Sequence, residues 1–282
     1  MDHESRNYIL QKIATANGIL TSFVEKNLNH STSGTFKDLF LKTPPGPARE
    51  ELIYKEALKN GPPKNLVPVT IPGPNGIKIT YNVMPDYFMI DGIRVTMAPS
   101  TAQKVADHFN MVLPTDKMSQ QIYNAADMKV RATPLSSSGY LGQDGKFYSA
   151  QDVITHRIDQ GDAAIKYNSI TDQEIAKQNQ SGKTPNLIAG HGKDIIQPLS
   201  DSKNPSIGGW QGSNGIALQP YSSPHKGEAA THTEYGLYTR LIDNKAKITL
   251  PNGKVIDTSL DKILSDPNMA KALTSSQGMK RY

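Results

Sequence analysis

The chain has 282 residues, with 31 Lys and Arg against 26 Asp and Glu, a formal net charge of +5 at pH 7. It contains no cysteine, which excludes disulfides, thiol catalysis and cysteine-bound zinc or iron–sulfur clusters. No apolar run approaches the roughly 20 residues that a membrane span needs, and the mixed charges show no basic face typical of nucleic-acid binding.

The N-terminal part of the chain is predicted to be helical. Between Ser5 and Asn27 apolar residues recur at three- and four-residue spacing, which favours an amphipathic helix. The proline-rich residues 43–47 form a stiff connector, and a second helix is predicted from Ala48 to Asn60. We therefore expect a helical N-terminal arm over residues 1–64 and a main domain over residues 65–282.

The main domain carries the signals of antiparallel hairpins. Strand-like runs flank Asn75-Gly76 and Asp91-Gly92, and a third pair flanks Asn252-Gly253. Such dipeptides favour hairpin turns because both turn positions need positive φ. Between the hairpins, helical patterns are predicted over residues 102–109, 116–128, 149–164 and 268–273, and Thr171 to Glu174 matches a capping box that starts another helix. This mixture, without alternating βαβ units, predicts an α+β fold with an antiparallel sheet, interspersed helices and long loops.

The stretch from Ala189 to Arg240 is the best candidate for a functional site. A buried strand is predicted before it at residues 187–190, and another at residues 235–242. The Gly-, Ser- and Pro-rich residues 197–232 are expected to be irregular. Irregular segments flanked by buried strands often carry functional groups, and three of the seven histidines fall in this stretch.

The segment Ala189-Gly-His-Gly-Lys-Asp194 is the most informative motif. The glycines allow a sharp turn and the close approach of a ligand. His191 is a candidate general base, metal ligand or orienting partner of Asp194, and Lys193 a candidate for holding a substrate anion or a developing oxyanion. The alternative is a strand-end turn with a solvent-facing Lys193–Asp194 pair.

Histidine is also the candidate metal ligand of this stretch. His191, His225 and His232, together with a carboxylate, would be chemically adequate for zinc or another divalent metal. His225 and His232 lie seven residues apart, which does not match the zincin spacing. Nothing in the spacing therefore selects a metal site over a metal-free one.

Aromatic residues and one arginine are the candidate substrate-binding groups. Trp210 lies among glycines, with Tyr235 and Tyr238 further along the chain. A tryptophan in such a loop either stacks on sugars or packs into the core. Strand alternation places Tyr238 and Arg240 on one face, where Arg240 either binds a carboxylate or forms a structural ion pair.

Several of these motifs resemble an uncharacterised family of bacterial proteins. Its pattern comprises Ala-Gly-His-x-Lys-Asp at residues 189–194, Gly209-Trp210 and Tyr-x(4)-Arg-Leu at residues 235–241. The resemblance covers residues 65–275 and implies one continuous unit. The family carries an acidic–Tyr–Ser–His–Gly sequence where this chain has residues 234–238 without histidine, so the role of that histidine is lost here or has moved to His232.

These residues predict a hydrolase that acts on a bacterial polymer or its fragments, such as cell-wall polysaccharide or peptidoglycan. The catalytic candidates are His191, Lys193, Asp194, His232 and Arg240. The alternative is a non-catalytic binding or interaction module, an effector or a structural component. We expect an exported or cell-envelope location because cysteine is absent. The residues that follow Met1 lack the basic start and the apolar core of a signal peptide, so a cytoplasmic location is the alternative.

Overall fold

The computed structural model describes residues 35–135, 140–141, 147–148, 160–179, 184–197, 206–212, 216–224, 233 and 235–275. In this part the chain has an α+β fold, as the sequence predicts. Several predicted features lie outside the described residues. They are the helix from Ser5 to Asn27, residues 149–159 of a second helix, and the candidate ligands His225 and His232. No helix of the described ranges combines the length and apolar character needed to cross a membrane.

Helices and strands follow one another irregularly along the described chain. The helices are α1 (Phe36–Lys42), α2 (Pro47–Asn60), α3 (Pro99–His108), α4 (Asp116–Ala125), α5 (Gln160–Gln178), α6 (Leu260–Ser265) and α7 (Pro267–Ala270). The strands are β1 (Val67–Pro72), β2 (Lys78–Val83), β3 (Met89–Ile90), β4 (Ile93–Arg94), β5 (Met111–Val112), β6 (Met128–Lys129), β7 (Tyr140–Leu141), β8 (Phe147–Tyr148), β9 (Ile188–Ala189), β10 (Lys193–Ile196), β11 (Ser206–Gln211), β12 (Ala217–Pro224), β13 (Leu237–Tyr238), β14 (Ile242–Thr249) and β15 (Val255–Ser259).

The larger sheet is antiparallel and has the order β1-β2-β14-β15, with β5 paired to β14. The hairpin predicted around Asn75-Gly76 joins β1 to β2, and both turn residues have positive φ (53° and 75°). One face of the sheet buries apolar side chains such as Ile79 and Tyr81 against Met118 and Ile122 of α4. The turn chemistry and the alternation therefore agree with the observed register.

The smaller sheet has the order β12-β11-β10-β13, and it brings the candidate site together. Strand β10 pairs antiparallel with β11 and parallel with β13, while β9 pairs parallel with β6. The prediction that residues 197–232 are irregular is therefore wrong for β11 and β12. Their Gly- and Ser-rich sequences lack clear alternation, and a register shift between Ile207 and Gly209 breaks the period further.

Two other local predictions differ from the structure. Thr171 lies inside the continuous helix α5 and is 3% exposed, so its capping-box pattern starts no helix. The strand predicted over residues 235–242 is split, since β13 ends at Tyr238 and β14 begins at Ile242. Between them the carbonyl of Thr239 accepts a hydrogen bond from the amide of Phe88, and the carbonyl of Leu241 accepts one from the amide of Met84. These bonds interrupt the regular strand pairing of the segment.

The helices α1 and α2 pack into the core of the described domain. Phe36, Phe40 and Ile53 are buried in the same cluster as Tyr87 and Tyr167. Helix α2 begins with Pro47 in its first turn and is followed by Gly61 at a φ of 77°, which matches the predicted helix from residue 48 to 60.

Candidate functional site

The turn Gly190-His191-Gly192 joins β9 to β10 and is shaped by close packing. Gly190 has a φ of 103°, and a Cβ atom there would lie 2.6 Å from the carbonyl oxygen of Val130. A Cβ atom at Gly192 would lie 2.5 Å from Tyr238 and 2.7 Å from Tyr87. Gly190 therefore makes the predicted sharp turn, and the space beside both glycines is filled by the protein's own atoms. The predicted close approach of a ligand stays a prediction.

His191 is fully buried at the centre of this turn. Its Nε2 atom lies 3.1 Å from Asp86 Oδ1, and Tyr87 meets its ring edge-on at 4.8 Å between centroids. Burial lowers the pKa of His191 although Asp86 opposes this, so the ring is neutral at pH 7 and Nε2–H donates to the carboxylate. In the described part of the chain Nδ1 has no hydrogen-bond partner. His191 thus ties the turn to Asp86.

Asp86 lies at the centre of a buried network of charged and polar side chains, with Arg94 and His191 as its direct partners. Arg94 donates to its Oδ2 from Nε at 3.1 Å and from Nη2 at 2.7 Å, and Arg94 Nη1 reaches Asp172 at 2.7 Å. Burial raises the pKa of the Asp86 carboxyl, but His191 and Arg94 outweigh it and hold this pKa well below its usual range. The roles of Asp86 and Arg94 were not predicted, because their partners lie far away in the sequence.

Asp194, the second residue of β10, is the other buried carboxylate of the site. Helix α4 starts after its N-cap Thr115, and Ser119 of its first turns donates a hydrogen bond to Asp194 Oδ2. Asp194 Oδ1 is buried and has no hydrogen-bond partner among the described residues. Burial raises the pKa of the Asp194 carboxyl, against the opposing effects of Arg240, Ser119 and Tyr87.

Arg240 is a buried cation, only 1% exposed. Its Nη1 donates to the carbonyl of Met84 at 2.8 Å and its Nη2 to that of Ile188 at 2.7 Å, and the guanidinium lies 4.4 Å from the centre of the Tyr87 ring. No carboxylate of the described chain forms an ion pair with Arg240. Within the described ranges, acceptors are found for two of the five guanidinium N–H groups, the carbonyls of Met84 and Ile188.

A small pocket contains both Asp194 and Arg240. It leaves about 10 Å³ in which the centre of a water molecule can move, enough for about one water. Tyr123 and Trp210 are partly exposed and mark its entrance, whereas the other lining residues are buried. These others are Tyr87, Ser119, Ile122, Ala189, Gly190, Gly192, Asp194, Gly209, Gln211 and Arg240.

Trp210 reaches the entrance from a strained backbone conformation. Its φ is 56°, which is unusual for a bulky residue and costs conformational energy. Its indole Nε1 donates to the Tyr167 hydroxyl at 2.6 Å, and Lys193 Nζ lies 4.5 Å from the ring. Trp210 thus packs on the core, which is one of the two roles considered from sequence, and it also lines the pocket. Its stacking on sugars stays a prediction.

The remaining candidates are placed as follows. Lys193 and Asp194 are both buried, so they do not form a solvent-facing pair. Tyr235 packs against Trp210 and Tyr167, and Tyr238 packs against Tyr87 and Gly192. Neither tyrosine lines the pocket.

Metal binding stays a prediction. Among the described residues no group of three or more His, Asp or Glu side chains is arranged to hold a metal ion. His191 is the only member of the predicted histidine set that falls within the described ranges, because His225 and His232 lie outside them.

Comparison of the chain with protein-family models, curated proteins and solved structures finds no match. The resemblance to an uncharacterised bacterial family therefore stays a prediction.

Proposed function

We propose that the chain is a hydrolase that acts on a bacterial polymer of cell-wall type, or on its fragments, with Asp194 as general base. The observation that carries this proposal is the buried Asp194 Oδ1, which has no partner in the described part of the chain and lines a pocket with room for about one water. A carboxylate in that position takes a proton from a water as the water attacks. Burial raises its pKa, which makes it a stronger base than an exposed aspartate.

The neighbouring groups have supporting roles in this proposal. Arg240 lines the same pocket with donors that no described carboxylate engages, so it stabilises negative charge that develops on the substrate. Trp210 lies at the entrance and stacks on the polymer, with Lys193 over its ring. A polar chain with anionic groups, such as peptidoglycan, suits this combination. With such a substrate, we propose the cell envelope as the location of the protein.

His191 takes a positioning role in this proposal. Because it is fully buried and bonded to Asp86, it holds the turn that carries Lys193 and Asp194 into β10. The wider hypothesis also includes acid–base catalysis by His232, which lies outside the described residues. It further includes a zinc or other divalent metal bound by histidine.

The second candidate is a non-catalytic binding module. The small size of the pocket favours it, because a polymer unit is much larger than one water. In addition, Asp86 accepts hydrogen bonds from Arg94 and His191 within the core, as in a structural network. Such a module binds the polymer through the surface around Trp210 and leaves its bonds intact.

Incubation of the purified chain with bacterial cell-wall sacculi separates the two candidates. The hydrolase releases soluble fragments that increase with time and with enzyme concentration. The binding module sediments with the sacculi and releases nothing. Sedimentation without release would show that the hydrolase proposal is wrong.

A further inference from the structure

The pocket contains one carboxylate and one guanidinium, and this pair restricts the type of bond that can be hydrolysed there. Among its described lining residues Asp194 is the only carboxylate and Arg240 the only cation. Asp194 offers an acceptor oxygen without a partner in the described chain. Arg240 offers N–H donors beyond the two that Met84 and Ile188 engage.

Glycoside hydrolysis needs a different arrangement. Most glycosidases place two carboxyl groups on either side of the bond, about 5 to 9.5 Å apart, one of them as proton donor. The second buried carboxylate near this pocket is Asp86, which Arg94 and His191 engage on both oxygens. Asp86 lines a separate groove with Pro62 and Met89 and is absent from the described lining of the pocket.

An amide fits the observed pair. We infer that the bond hydrolysed at this site is a carbonyl–nitrogen bond, as in the peptides and N-acyl groups of cell-wall polymers, and not a glycosidic bond. This inference rests on the proposed hydrolase function. The carbonyl oxygen accepts a hydrogen bond from Arg240, which polarises the carbon and stabilises the oxyanion.

The reaction needs no group beyond these residues and water. The Asp194 carboxylate takes one proton from the water as its oxygen bonds to the carbonyl carbon, and the C=O electron pair moves to the oxygen beside Arg240. The C=O bond then re-forms, the C–N bond breaks, and the proton on Asp194 passes to the leaving nitrogen. The products are an amine and a carboxylic acid, and Asp194 is again a carboxylate.

One digest of cell-wall sacculi by the full chain tests this inference, with primary amines and reducing sugar ends measured in the same sample. We expect primary amines to increase with time while reducing ends stay at the level of a sample without protein. An increase of reducing ends without amines would overturn the inference and leave the hydrolase standing. If neither group increases, the proposed hydrolase function itself is wrong.

An Arg240→Lys variant tests the oxyanion role. Lysine keeps the positive charge but cannot reproduce the fork of donors, so kcat for amine release should fall by about 100-fold. An unchanged kcat in a variant with an unchanged unfolding midpoint would overturn the assignment. Should this variant not fold, the wild-type digest still decides between amide and glycosidic cleavage.

Discussion

Tyr87 and Gly192 are in direct contact at the base of the candidate site. The Tyr87 hydroxyl donates a hydrogen bond to the Gly192 carbonyl at 3.1 Å, and its ring leaves no space for a Cβ atom at residue 192. A side chain at this position would therefore push against both Tyr238 and Tyr87, and Tyr87 packs on Arg240 and His191.

Substitution Gly192→Ala should destabilise the fold. The new methyl group would lie 2.5 Å from Tyr238 and 2.7 Å from Tyr87, and overpacking of this kind costs about 1–3 kcal/mol. Urea denaturation followed by the fluorescence of Trp210, the only tryptophan, measures the free energy of unfolding. A variant as stable as the wild type would contradict the close packing of this turn.

Substitution Asp86→Asn should be more damaging than its small change in size suggests. It leaves the buried Arg94 without the charged oxygen that accepts from both its Nε and its Nη2, and breaking a buried pair costs about 3–5 kcal/mol. Glu56→Gln, which breaks the exposed Lys59–Glu56 pair on α2, is the matched control and should change the free energy of unfolding by under about 1 kcal/mol. Equal effects of the two substitutions would show that the Asp86–Arg94 pair adds no more than a surface contact.

His191 should make the protein less stable as the pH falls below about 6.5. Burial lowers its pKa in the folded state from the usual 6.5, so below that pH the unfolded chain binds a proton that the folded chain does not. The stability contributed by neutral His191 is present above the unfolded pKa and is lost as the pH falls towards the folded pKa.

The His191→Gln variant isolates this effect from that of the carboxylates. Asp194 acts in the opposite direction, because its raised pKa favours the folded state as the pH falls. Unfolding free energies of wild type and variant should therefore be compared between pH 7.5 and pH 5, a window around the usual histidine pKa. We expect their difference to change with pH. A constant difference would contradict a buried neutral His191.

The hairpins could be predicted from the sequence because their signals are local. Asn75 and Asp91 adopt positive φ of 53° and 50°, each followed by a glycine at 75°, as the dipeptides require. The strands β11 and β12 could not be predicted in this way. Their sequences carry no clear alternation, and they are formed by pairing with β10 and with each other.

The candidate site was predictable in part. Lys193, Asp194, Trp210 and Arg240 were all singled out from the stretch between residues 189 and 240, and the structure brings them together. Their partners on other elements were not singled out. His191 meets Asp86 across 105 residues, and Asp194 meets Ser119 across 75 residues. Such contacts between distant residues cannot be predicted from local sequence periodicity, because they form only when the chain packs into its tertiary structure.

The Asp194→Asn variant tests whether Asp194 acts as the general base. Asparagine keeps the size and the hydrogen bond from Ser119 but accepts no proton, so fragment release from sacculi should fall by about 100-fold or more. Asp257→Asn, at an exposed carboxylate of β15, is the control and should keep wild-type activity. Release by Asp194→Asn at the wild-type rate, with the fold intact, would show that Asp194 is not the general base.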